Sequence, residues 1–275
     1  MRKGVSQISF PRSMPLRRIM ELASLAGFEG VELRMSEEGE FSPRTSEADA
    51  AKIRREAELL GLEVCSVVGG LQWKYPLSSP DEGVRRTGVR AAKKAVKLAS
   101  VLGADVVLIV PALVTKEVPY DVAWRLSLDS VAEIARFAGG VEVRVAVENV
   151  WNKFIFTPLE MARFIDEVNS MVGNEVVGAY LDVGNVVPFG YPEHWISCLR
   201  ERVLAVHFKD MKVMGVSAIP VMPPLGDVDW PSVVKELRRI GYGGYVTAEV
   251  GLPEVGLEAA LEYLSSVMDR VLSPR

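Results

Sequence analysis

Short runs rich in Val, Ile and Leu recur along the chain, and the segments between them carry apolar residues at helical spacing. The runs predict eight strands, at 4–9, 30–34, 62–68, 105–110, 143–149, 176–182, 203–208 and 244–250. Most are almost continuously apolar, as strands covered on both faces are. The intervening segments carry helix signals. Ser79-Pro80-Asp81-Glu82 reads as an N-cap, a first-turn proline and a capping acid, opening a helix that stops at Gly103. Thr157-Pro158-Leu159-Glu160 repeats the pattern, and Ser46 to Asp49 is a looser version. LAGFEG, LLGLE, VLGAD and RIGYGG each end an apolar helix on glycine just before the next strand.

Strand–helix alternation repeated eight times predicts a (β/α)8 barrel. A doubly wound open sheet is the rival, and it usually carries a Gly-rich phosphate loop after its first strand; QISFPRSMP at 7–15 is not one. No linker, low-complexity tract or shift in composition divides the chain, so residues 1–275 are expected to form a single domain.

The strand pattern also shows where it is broken. LAVHFKD, at 204–210, places His207, one of only two histidines, inside an apolar run. Alone, a strand histidine is more often a hydrogen-bonded core residue than a ligand. But the fifth strand ends at Glu148, the sixth at Asp182 and the eighth at Glu249. A barrel gathers chemistry at the C-terminal ends of its strands. A buried carboxylate is costly unless it is paired or binds a metal. Four ionisable groups on four adjacent strands, at one rim, can satisfy one another through a single divalent cation. Three carboxylates and an imidazole suit Mn²⁺ foremost, with Mg²⁺, Co²⁺ or Zn²⁺ also fitting, and are too oxygen-rich for a structural zinc site.

Composition narrows the remaining classes. The 275 residues are 49% hydrophobic and 25% charged, an ordinary globular balance, and the net charge of -4 offers no basic footprint for nucleic acid. Cys65 and Cys198 stand alone, which argues for a reducing, cytoplasmic setting. No signal peptide or run long enough to span a bilayer is evident, so no membrane partner is expected. Glutamine occurs only at positions 7 and 72, a weak pointer to a thermophilic source.

Other residues near the strand ends are candidate substrate contacts. Trp73 and Trp151 can cover one face of a substrate or simply pack in loops; Asn152 and Lys153 can bind hydroxyls or a phosphate. Lys209 shares its face with His207 and can touch substrate or pair with Asp182 or Glu249. Glu32, near the end of the second strand, either touches substrate or makes a structural pair. Asp210 is a supporting acceptor or an ordinary loop acid, and His194 in GYPEHW is a surface or capping residue. The apolar, Pro- and Met-rich segment 212–226 is a lid over the mouth or a subunit contact.

With those residues in place, the chain resembles the sugar phosphate isomerase/epimerase family, the xylose-isomerase-like TIM barrels. The most telling stretches lie at 73–112, ENVWNKFIFTPLEMARFIDEV (148–168), YLDVGNVVPFGYPEHWI (180–196), VHFKDMK (206–212) and 224–250. Within that family it resembles the metal-dependent ketose 3-epimerases. The resemblance implies that Glu148, Asp182, His207 and Glu249 hold one divalent ion and that Glu148 and Glu249 act as acid and base. It also implies a small ketose or ketose phosphate as substrate and a homo-oligomer, a dimer or tetramer. Two positions depart from the family pattern. A histidine common three residues after the metal aspartate is replaced by Asn185, another candidate substrate contact. An arginine that often follows the strand-seven histidine is absent, leaving Lys209 and Lys212 as the nearby cations.

The chemistry so implied is proton exchange at C3 through a cis-enediolate, with the two glutamates on opposite faces of the sugar. Aldose–ketose isomerisation uses the same enediol one carbon along. Keto-inositol dehydration also begins by abstracting an α-proton, and a binding protein without turnover would keep the same ligands. The AP endonucleases of the same superfamily need three metals and several histidines, which two histidines cannot supply.

Overall fold

The computed structural model describes residues 1–215 and 217–273. Among these, eight parallel strands close into a barrel, as the alternation predicts. In chain order they are β1 (Arg2–Ser6), β2 (Gly30–Arg34), β3 (Glu63–Val68), β4 (Val106–Ile109), β5 (Arg144–Glu148), β6 (Val177–Asp182), β7 (Val203–Phe208) and β10 (Tyr245–Ala248). Strand β10 closes the ring by pairing with both β1 and β7. An antiparallel hairpin, β8 (Asp210–Met214) with β9 (Ser217–Val221), follows β7 directly.

The major helices between strands are α1 (Leu16–Leu25), α2 (Glu47–Leu59), α3 (Glu82–Leu102), α4 (Tyr120–Gly139) and α5 (Pro158–Val172). After β6 come the single turn α6 (Val183–Val186) and α7 (Pro192–Leu199), then α8 (Trp230–Arg239) and α9 (Leu257–Leu272). None of the described helices is long and apolar enough to cross a membrane. Their inner faces pack on the outside of the barrel in one continuous apolar cluster.

Local chemistry sets most boundaries. Thr157 and Glu160 form the reciprocal capping box at the start of α5, and Ser46 accepts the Asp49 amide at the start of α2. Gly103 ends α3 in the left-handed region at φ 80°, where a side chain would be strained. Several strand ends shift by one or two residues from expectation, and two boundaries move for a visible local reason. Helix α3 starts one turn after Ser79, because Asp81 is the N-cap, accepting the Val84 amide at 3.0 Å. Strand β1 stops at Ser6 because residues 7–9 form a 3-10 turn capped by the Ser6 hydroxyl.

Inside the barrel, side chains fill the space in layers, so it is a packed core rather than a pore. Val68, Val106, Leu108, Ala146, Tyr180 and Ala205 form an apolar interior cluster. Against it lies a polar group made of Glu32, Ser66, Tyr180 and His207. This group supports the rim where the strand-end ionisable residues converge.

Candidate metal centre

Glu148 is the last residue of β5, Asp182 the last of β6, and His207 the fifth of β7. Adjacent parallel strands hold them in register: Asp182 lies opposite His207, and His207 opposite Thr247 of β10. Glu249 follows β10 by one residue, but its amide still donates to the Phe208 carbonyl at 3.2 Å. The ladder thus fixes all four backbones.

Each side chain offers a ligand atom, and the four atoms lie within 4.8 Å of one another. Donors about 2.0–2.2 Å from one ion span up to about 4.4 Å, so the cluster needs little contraction to close on a single cation. The hydrogen bonding of Asp182 points the same way. Its Oδ1 caps α6 by accepting the Asn185 amide at 2.9 Å, while the buried Oδ2 makes no hydrogen bond. Lys209 Nζ lies 3.3 Å from Oδ2, an ion pair without hydrogen-bond geometry, and 3.1 Å from Glu249 Oε2. His207 aims Nδ1 at the carboxylates, 3.1 Å from Glu148 and 3.6 Å from Glu249. Its Nε2 meets Glu32 at 3.1 Å on the other side. That is the pattern of a metal-binding histidine whose far nitrogen is held by a carboxylate. The donor set and the orphaned oxygen fit one divalent ion.

The electrostatics reflect the crowding. Burial pushes the Glu148 carboxyl up to about 7, with the charges of Glu249 and Asp182 adding to it and His207 opposing. Burial works against a charged His207, yet the charges of Glu32 and Glu249 hold it well above the ordinary histidine range. Lys209 is only partly buried, and it too is raised against the cost of burial, by Asp182, Glu249 and Glu148. A divalent ion at the same point supplies the positive charge these carboxylates require and leaves the imidazole neutral to ligate.

A cavity of about 350 Å³ opens over the cluster. Trp73, Trp151, Asn185 and Lys209 line it, as do Glu148 and Glu249. The Trp151 indole donates to the Asn185 carbonyl at 3.1 Å, and the Asn185 amide nitrogen donates to the Asn149 carbonyl at 3.0 Å. The wall at Trp151 and Asn185 is therefore fixed.

Three expected substrate contacts are elsewhere. Glu32 is fully buried beneath His207, where Ser66 and Tyr180 donate to its other oxygen at 2.7 and 2.6 Å, so it makes a structural pair. Asn152 is buried and spans its own loop, donating to the Ala112 carbonyl and accepting from the Phe154 amide. Lys153 lines a smaller cavity beside Phe156 and Phe189 that adjoins the first across Val150, Trp151 and Asn185. Asp210 is a buried organiser whose carboxylate accepts from the amides of Met211, Gly226 and Val228 and from the Trp230 indole. Lys212 pairs with Asp227, away from the cluster. His194 is exposed on α7, as expected. Segment 212–226 forms most of the β8–β9 hairpin; its Val216 lies outside the described residues.

Residues not anticipated complete the site. Asn149 clasps β5 to β6 by donating to the Asp182 carbonyl and accepting the Asp182 amide, both at 2.9 Å. Arg34 and Ile8 line the cavity wall. The signal for Arg34 was present: it stands two residues after Glu32, on the same inward face.

Residues 20–267 match the model of the xylose isomerase-like TIM barrel family. The chain belongs to that family. It is 24% identical over 247 residues to an L-ribulose-5-phosphate 3-epimerase of Escherichia coli O157:H7 (strain EC4115 / EHEC), covering 88% of this chain and 84% of the relative. It is also 24% identical over 271 residues to a putative L-ribulose-5-phosphate 3-epimerase of Escherichia coli (strain K12), covering 96% and 93%. Among solved structures, D-psicose 3-epimerase with D-tagatose from Clostridium cellulolyticum H10 superposes with a TM-score of 0.83 at 18% identity, over 100% of both chains. The IOLI protein with a bound zinc atom superposes at 0.82 and 18% identity, over 99% of this chain and 98% of that one.

Proposed function

We propose that this chain is a metal-dependent isomerase that epimerises a ketose at C3, using Glu148 and Glu249 as the acid–base pair. One observation carries the reading: the four cluster residues differ in access. The Asp182 and His207 side chains are 0% and 1% exposed, whereas those of Glu148 and Glu249 are 8% and 16% exposed and line the cavity. Two residues are thus buried ligands, and two carboxylates face the space a sugar would occupy. The named relatives support the reaction type, since both curated relatives and the psicose enzyme are 3-epimerases. Their names do not agree on phosphorylation, because the first two act on a sugar phosphate and the third on a free sugar.

In this mechanism one glutamate removes the C3 proton and the other returns a proton from the opposite face, which inverts the centre. A divalent ion held by Glu148, Asp182, His207 and Glu249, Mn²⁺ foremost, supplies Lewis-acid stabilisation of the charge that develops on the substrate oxygens. Lys209, between Asp182 and Glu249, keeps the Glu249 carboxylate oriented and places a cation at the cavity wall. Trp73 and Trp151 exclude water and cover the sugar.

The test is turnover in deuterated water with Mn²⁺-loaded protein and a panel of ketoses, read by NMR. Deuterium is expected at C3, and Glu148→Gln and Glu249→Gln should each abolish its incorporation while metal content is measured in parallel. Label at C2 of an aldose product and at C1 of recovered ketose, with none at C3, would assign aldose–ketose isomerisation instead, and sugar binding with neither product nor C–H exchange would leave a binding protein.

A further inference from the structure

A second cavity, of about 370 Å³, adjoins the one over the metal cluster, and the two share Ile8 and Arg34 in their walls. Its polar lining is Arg12, Arg34, Ser36 and Gln7. Among the described residues, neither Arg12 nor Arg34 has a carboxylate within ion-pair distance, and neither guanidinium makes a hydrogen bond. Burial and the neighbouring charge of Arg12 hold the Arg34 guanidinium below its ordinary value. The one acid that acts on Arg34 is Glu249, and it is already paired with Lys209. Two mutually repelling guanidiniums, one half-buried, without a counter-charge of their own, form a site that an incoming anion stabilises.

The local backbone holds this arrangement. The Arg34 amide donates to Gln7 Oε1 at 2.9 Å, which ties the end of β2 to the turn after β1. That bond uses the carboxamide oxygen and leaves the Gln7 NH₂ group as a further donor. The Ser36 hydroxyl adds another at the same wall. Two planar cations with neutral donors beside them match a tetrahedral dianion better than a neutral hydroxymethyl end. The lysines at the mouth are less suited. Lys209 is held by Asp182 and Glu249, and Lys153 stands without a second cation in a smaller pocket of about 110 Å³ walled by Trp151, Ile155, Phe156, Phe189 and Trp195.

We propose that Arg12 and Arg34 form a phosphate subsite, so that the substrate is a ketose phosphate whose reacting carbon meets Glu148 and Glu249 while its terminal phosphoryl group lies between the two arginines. This assignment rests on the 3-epimerase reading for the reaction, but the anion site has its own test. Wild-type enzyme is expected to prefer a ketopentose 5-phosphate over the free ketopentose in kcat/KM by on the order of 100-fold, the lower end for two hydrogen bonds between charged groups. Arg12→Ala and Arg34→Ala should each reduce that ratio by about tenfold, mainly through KM for the phosphorylated substrate.

Chelator-treated protein titrated with inorganic phosphate and followed by ³¹P NMR should bind it, and the double variant should not. C3 exchange on free and phosphorylated ketoses alike, with a ratio the arginine variants leave unmoved, would overturn the subsite and keep the epimerase. Phosphate binding that depends on both arginines, with no C3 exchange on any ketose, would keep the subsite and overturn the reaction. A wild-type preference for the free ketose, or phosphate binding equal in wild type and double variant, rejects the subsite outright.

Discussion

Glu32→Gln changes one atom in a fully buried group and is the sharpest test of how the metal centre is supported. Glu32 Oε1 meets His207 Nε2 at 3.1 Å, and Oε2 accepts from Tyr180 at 2.6 Å and Ser66 at 2.7 Å. A carboxylate accepts at both positions; a carboxamide accepts at only one. If the new NH₂ faces His207, the imidazole must carry its proton on Nδ1, the nitrogen that faces the carboxylate cluster, and it can no longer ligate there. If the NH₂ faces Tyr180 and Ser66, both hydroxyls must turn their protons away inside a buried layer, at about 1–3 kcal/mol for an unpaired group. The carboxylate that raises the basicity of the imidazole is lost in either case. The expected result is a fall in metal affinity of about 10- to 100-fold, as for other partners of metal-binding histidines. Chelated protein should lose about 1–3 kcal/mol of stability, a drop in Tm of several degrees for a chain of this size. Mn²⁺ affinity is read by competition with a chromophoric chelator, and Tm by melts with and without the ion. A folded variant with unchanged metal affinity would refute the assignment, even if its Tm fell.

Two further outcomes follow from other buried charges. Lys209→Met removes the cation that Asp182 and Glu249 share, so chelated protein should melt several degrees lower by about 1–3 kcal/mol. Saturating Mn²⁺ should recover most of that loss by mass action, and calorimetry with and without the ion separates the two terms. Asp210→Ala leaves four donors without their acceptor where β8 and α8 meet the loop at Gly226. It should cost about 3–5 kcal/mol in urea unfolding, far more than an ordinary loop acid; a loss inside the range of exposed substitutions would contradict its role.

The barrel was legible because strands covered on both faces are written as apolar runs, and glycine or capping residues punctuate the helices between them. The cluster of Glu148, Asp182, His207 and Glu249 was legible for the complementary reason: an ionisable side chain stands out where the surroundings should be apolar. What the strand pattern does not carry is depth. Period-2 alternation told that Glu32 points inward, but not whether it reaches the mouth or the layer below, since strand tilt and stagger set that. Asn152 was misplaced for a different reason. Loop position alone does not reveal that its amide is spent on the backbone of its own turn at Ala112 and Phe154.

Once one layer is located, depth can be counted. Inward residues two apart on a strand are separated by about 6.6 Å along it. Ser6, Glu32, Val68, Leu108, Glu148 and His207 lie at or near the C-terminal ends of their strands, and two residues beyond each, past the strand end in every case but Arg34, come Ile8, Arg34, Gly70, Val110, Val150 and Lys209. All six of that second group line the cavity over the cluster. Val68, Leu108 and Glu148 of the first group reach the same cavity, so the two groups overlap at its floor, and the proposed metal position of His207 puts Lys209 one step further toward the mouth. On β2 the same step leads from Glu32, which holds the ligand histidine, to Arg34, whose guanidinium has no acidic partner among the described residues. An arginine in that row, free of any structural pairing, is placed to read what is attached to the sugar rather than to hold the barrel together.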